Sequence, residues 1–164
     1  ACCDARTTLL TGAPLRNLGR AIREADLGGE PFQIGRWVAQ GGFAGEGVVP
    51  RERQLEKFEG LVTCPTYNFN GDPKAALLAL SSPRIMTRRL VSKNVCHGVI
   101  YDHAMHDRLR ERATSSLSLS LIFKGMEHYL ASSPDGKKFH DPLAACCAID
   151  ESIATYAKRR KLAS

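Results

Sequence analysis

The chain has 164 residues, 43% hydrophobic and 24% charged, with 14 Gly and 8 Pro, the make-up of one globular domain that buries roughly two-thirds of its unfolded surface. This excludes disorder and collagen-like repetition. No stretch approaches the ~20 apolar residues of a spanning helix, and Ala1 to Arg6 lacks the basic flank and apolar run of a secretory signal. The expectation is a soluble single domain over 1–164 with no membrane partner.

Lys and Arg outnumber Asp and Glu by 23 to 17, a net charge of +6, so RNA or an acidic partner could be attracted through a basic surface. Part of the excess sits in two clusters, Arg84 to Lys93 and Lys158 to Lys161. No aromatics interleave with arginine as base stacking requires, and solvated helix faces account for most of the charge. The six cysteines, Cys2, Cys3, Cys64, Cys96, Cys146 and Cys147, form no C-x-x-C, and adjacent cysteines rarely bond each other. They read as reduced, mostly buried thiols in a reducing intracellular compartment, cytoplasm or organelle matrix.

In chain order, Thr7 to Leu10 is a β-prone run, followed by the turn residues Thr11, Gly12, Ala13 and Pro14. Leu15, Leu18, Ile22 and Ala25 recur at helical spacing until Gly28-Gly29. Ile34 to Ala39 reads as a strand stopped by Gly41-Gly42, and Phe43 to Gln54 as a glycine- and charge-rich loop. A short strand is expected at Leu61 to Thr63. After the turn-rich Pro65 to Pro73, Lys74 to Leu80 forms a helix with Asp72 as its cap. Strand material is expected over Leu90 to Ile100 around a polar interruption at Ser92 to Asn94.

Helices follow over Asp102 to Arg112 and Ser115 to Ala131. In the second, Leu117, Leu121, Ile122, Met126 and Tyr129 make an apolar stripe for core or interface packing. A Pro-Asp-Gly turn occupies Ser133 to Lys137. Asp141 then caps a helix through Leu143, Ala144, Cys146 and Cys147 with Pro142 in its first position, and a last basic helix covers Ile153 to Leu162. Strands alternating with helices predict an α/β class: a mainly parallel, Rossmann-like sheet with flanking helices, whose ligand sites gather at the carboxyl ends of the strands.

Three loops after strand-like runs carry the polar residues: Thr11 to Asn17, Pro65 to Asp72, and His140 to Pro142. His140 can carry a proton near neutral pH, and Asp141 offers a carboxylate for a hard cation or for capping its helix. His103 and His106, spaced i, i+3, read as surface residues. His97 reads equally as pocket or structural, and Cys96 as a buried thiol.

The ordered blocks TGAPLRNLG (Thr11 to Gly19), WVAQGGFAG (Trp37 to Gly45), PTYNFNGDPKAA (Pro65 to Ala76), LVSKNVCH (Leu90 to His97) and HDPLAACCAID (His140 to Asp150) resemble the nucleoside hydrolase family. They span almost the whole chain but only the later part of a family member. The resemblance implies an incomplete nucleoside hydrolase fold and a calcium-dependent pocket that cleaves the N-glycosidic bond of ribonucleosides. It implies Asp141 as a calcium ligand with the backbone carbonyl of Gly12 or Thr11, and His140 as the catalytic group near the leaving base. Asn68 and Asn70 fall on the ribose, with His97 as a further substrate contact.

Three features depart from the family. The aspartate cluster that supplies the first calcium ligands and the general base is absent; Thr66 stands where many members have a ribose-binding glutamate; Gln40 replaces a methionine. Activity of this chain alone is therefore expected to be absent or very weak, with a partner chain or self-association covering an open sheet edge. The alternative is a non-catalytic subunit of a larger assembly.

Overall fold

The structure, a computed structural model, describes residues 3–29, 31–45 and 47–157. The chain folds as two compact units, Ala1–Val95 with His140–Ser164, and Cys96–Phe139.

The first unit is built on three parallel strands in the order β1 (Thr8–Thr11), β2 (Ile34–Gln40), β3 (Ile85–Val91), so β1 and β3 are its edges. Leu10 lies opposite Val38, and Val38 opposite Arg89. The central strand is apolar because both its faces are covered. Trp37 and Ala39 join the core formed with α1 (Arg16–Gly28) and α3 (Pro73–Ser81), where Leu15, Leu18, Ile22 and Ala75 are buried. Side chains alternate along a strand, so Val38 and Arg36 share the other face. Arg36 donates to the carbonyl of Ala148 in α7 (Asp141–Ile149), which places that helix on the second face and makes the unit three-layered. The two helices of the first layer pack closely because Gly19 has no side chain; a Cβ there would lie 2.6 Å from that of Ala75.

The start of α3 follows the expectation: Asp72 Oδ1 accepts from the Ala75 N–H at 3.0 Å, with proline in the first turn. The strand expected over Leu90 to Ile100 lies earlier, and residues after the polar interruption form α4 (Lys93–His97). The arginines in and just before β3 explain the shift. Arg88 donates to the carbonyls of Ala79, Ser82 and Ile85, closing the carboxyl end of α3. Arg84 donates to the Ala25 carbonyl in α1 and pairs with Asp26. Together with Arg36 on Ala148, three guanidiniums, two on strands and Arg84 just before β3, meet carbonyls near the negative ends of three helices. Much of the Arg84 to Lys93 cluster is therefore internal structure.

Leu61 to Thr63 is exposed and forms no strand, since it buries no face. The last helix is also corrected within the described residues: a 3-10 turn, Glu151–Ile153, is followed by irregular chain to residue 157. The remainder of that segment, the basic run Lys158 to Lys161, and Cys2 lie outside the described residues.

The second unit holds β4 (Ile100–Tyr101) antiparallel to β5 (Lys137–Lys138), with α5 (His103–Arg110) and α6 (Leu117–Ser132). His106, expected at the surface, is buried: its ring stacks on Phe123 with centroids 4.2 Å apart, and its Nδ1 is 3.0 Å from the Tyr101 hydroxyl. That choice of inner residue turns the following helix. Phe123, Met126 and Leu130 face inward, whereas Leu117, Leu121 and Ile122 of the expected stripe are 76%, 62% and 51% exposed. These three are not core of the chain. Among the described residues, Cys96 and Cys147 are buried, as expected, and Cys3, Cys64 and Cys146 are only half-buried.

Candidate functional site at the carboxyl ends of the strands

Parallel strands end together, so the loops that leave them share one rim. β1 ends at Thr11, followed by Gly12, and β2 at Gln40, followed by Gly41, while the start of α7 brings Asp141 against Gly12. Asp141 decides its own role geometrically. The cap position of α7 is held by His140, which makes no side-chain capping bond, and Asp141 is already in the first helical turn. Its carboxylate turns instead toward the loop after β1: a Cβ on Gly12 would lie 2.8 Å from Asp141 Oδ1. The expected capping role is thus corrected, and a glycine is required opposite the acid because any side chain would displace it.

The turn-rich loop joins the same rim. Gly71 packs on Pro14, where an added Cβ would lie 2.6 Å from the proline ring. Asn68, on the short helix α2 (Tyr67–Asn70), is buried and its Nδ2 donates to the Gln40 carbonyl at 2.9 Å and to Gln40 Oε1 at 2.7 Å. Thr66 accepts from the Gly42 N–H at 3.3 Å. No protein-family model matches the chain, and no curated protein matches it.

The site residues expected from sequence therefore divide. Thr11, Gly12, Asn68, His140 and Asp141 belong to strand-end loops of one unit. Asn70 is exposed, and its Oδ1 accepts from the Thr66 N–H at 3.1 Å, shaping its own turn. His97 closes α4 and belongs to the second unit, apart from these loops in the chain's division. His140 is half-buried with its Nε2 enclosed.

Two organising groups were not anticipated. Gln40 holds Asn68 through its carbonyl and carboxamide, and Trp37 donates its indole N–H to Thr11 Oγ1 at 2.9 Å while stacking on Phe69. The signal was present for the first, as a polar residue ending an apolar strand just before two glycines. A groove of about 240 Å³ runs beside Gly12, lined by the Leu10 to Leu15 segment with Asn17 and Leu18. A larger depression of about 500 Å³, lined by Asp26, Phe32, Gln33 and Arg84 among others, lies at the opposite, amino ends of the strands, away from this chemistry.

The oxygen chemistry at Gly12 and Asp141 suits a hard cation, but calcium takes six to eight oxygens. Among the described residues no three His, Cys, Asp or Glu side chains gather to hold a metal. One carboxylate and neighbouring carbonyls do not make a complete calcium site.

Proposed function

We propose that this chain contributes the later half of a nucleoside hydrolase-like pocket, in which ribonucleosides are cleaved to base and ribose once acidic ligands from outside these residues complete it. The observation that carries the reading is the turn of the Asp141 carboxylate away from its helix and onto Gly12. In this reading the carboxylate shares a cation with the Gly12 or Thr11 carbonyl, and His140 carries a proton at the departing base. Asn68 presents a buried amide at the same rim, while Asn70 supports its turn. The fold would then be an incomplete nucleoside hydrolase fold, and a partner chain or second copy would lie along β1.

A second reading is favoured by the closure of Asn68 on Gln40, which engages the amide intended for the ribose. It makes the chain a non-catalytic nucleoside hydrolase-like subunit. Heat stability measured against calcium and ribose separates the two. With one carboxylate the dissociation constant should be weak, on the order of 1 mM. The expected result is a calcium-dependent rise in Tm, lost in Asp141→Asn, with a further rise on adding ribose. No calcium effect, or the same effect in Asp141→Asn, rejects the pocket; a calcium effect without ribose protection favours the subunit.

A further inference from the structure

The loop leading into α2 and the start of α4 meet through two reactive side chains that the pocket does not use. Lys93 Nζ lies 3.4 Å from Cys64 Sγ and donates to the Pro65 carbonyl at 3.0 Å. The lysine is held at both ends, because its backbone N–H also donates to the Gly42 carbonyl at 2.9 Å. Both side chains are half-buried, so a small oxidant reaches them.

We infer that Cys64 and Lys93 form a site of oxidative cross-linking, closed by hydrogen peroxide. Peroxide first converts the thiol to a sulfenic acid: its O–O bond breaks, sulfur is oxidised and one water leaves. Sulfenic acids condense with a nearby thiol or nitrogen. Here Lys93, after releasing its ammonium proton to solvent, attacks the sulfur; the S–N bond forms, the S–O bond breaks, and a second water departs. One thiol, one amine and one peroxide thus give one sulfenamide and two waters. The bond ties the loop bearing Thr66 and Asn68 to the turn after β3. This chemistry is independent of what the strand-end rim binds.

The test is mass spectrometry of the full chain after peroxide treatment, digested with a protease that cuts beside aromatic residues. The expected product joins the Cys64 and Lys93 peptides with the loss of two hydrogens, reverts with dithiothreitol, and is absent from Cys64→Ser and Lys93→Arg. Trypsin should also cease to cut after Lys93. The inference is overturned if Cys64 stays reduced, advances to sulfinic acid, or pairs with another cysteine while Lys93 remains cleavable.

Discussion

Thr11 shows how one residue at a strand end serves two ends of the structure. Its side-chain oxygen satisfies the indole N–H of Trp37, which is fully buried, while its carbonyl is one of the two proposed above as a cation ligand. Thr11→Val removes the first role and keeps the second. A buried donor left without a partner costs about 1–3 kcal/mol, so the urea midpoint should fall by that equivalent and recover in Thr11→Ser. Any calcium dependence of Tm should survive in Thr11→Val, because the backbone oxygen is unchanged. Loss of the calcium effect in this variant would move the ligand from carbonyl to hydroxyl.

At the scale of elements, α7 is fastened to the sheet at its carboxyl end as well as at Gly12. Arg36 donates to Glu151 and to Ala148, and Arg89 lies over the Tyr156 ring. Burial, followed by the neighbouring Cys147 thiol, pushes the Tyr156 phenol far above its usual range. The Arg36 hydrogen bond holds the Glu151 carboxyl below its usual value; burial opposes this, and the charges of Arg36 and Arg89 add to the lowering. A depressed carboxylate contributes its stability above the unfolded-state value and loses it as pH falls through the lower folded value. The stability gap between the native chain and Glu151→Gln should therefore narrow on acidification, read as Tm at stepped pH. A constant gap would mean that the pair is not maintained in solution.

The elements that were legible are those whose burial is one-sided and periodic. Leu15, Leu18, Ile22 and Ala25 announce α1, and Asp72-Pro73 announces α3, because local spacing and capping alone determine them. β3 was not legible as a strand because Arg88 and Arg89 interrupt its apolar pattern, and only the distant carbonyls of α3 and the side chain of Glu151 explain why arginine belongs there. The same limit applies to His106, whose partners Tyr101 and Phe123 lie on other elements. At the rim, the loops were legible from their turn residues, but the aim of Asp141 was not: capping and reaching Gly12 look identical along the chain.

For the whole molecule, the division into two units means that cohesion is not evenly distributed. The first unit has a three-layered core around β2, whereas the second rests on two short strands, α5, α6 and the stack of His106 on Phe123. Regions with smaller cores open at lower free energy. Amide hydrogen exchange should therefore fall into two classes, with β2 protected longest and α6 exchanging earlier as a group; a single uniform class would show that the units open together. Among the described residues no helix is long and apolar enough to cross a membrane.

The sequence contains one tryptophan, and it is seated beneath the rim, bonded to Thr11 and stacked on Phe69. Indole emission responds to a change in its hydrogen-bond partner and in the ring beside it. The protein thus carries an intrinsic optical probe one side chain away from the Gly12–Asp141 contact. Titrating an unlabelled compound while following that emission would report local rearrangement at the strand ends without any dye or engineered chromophore.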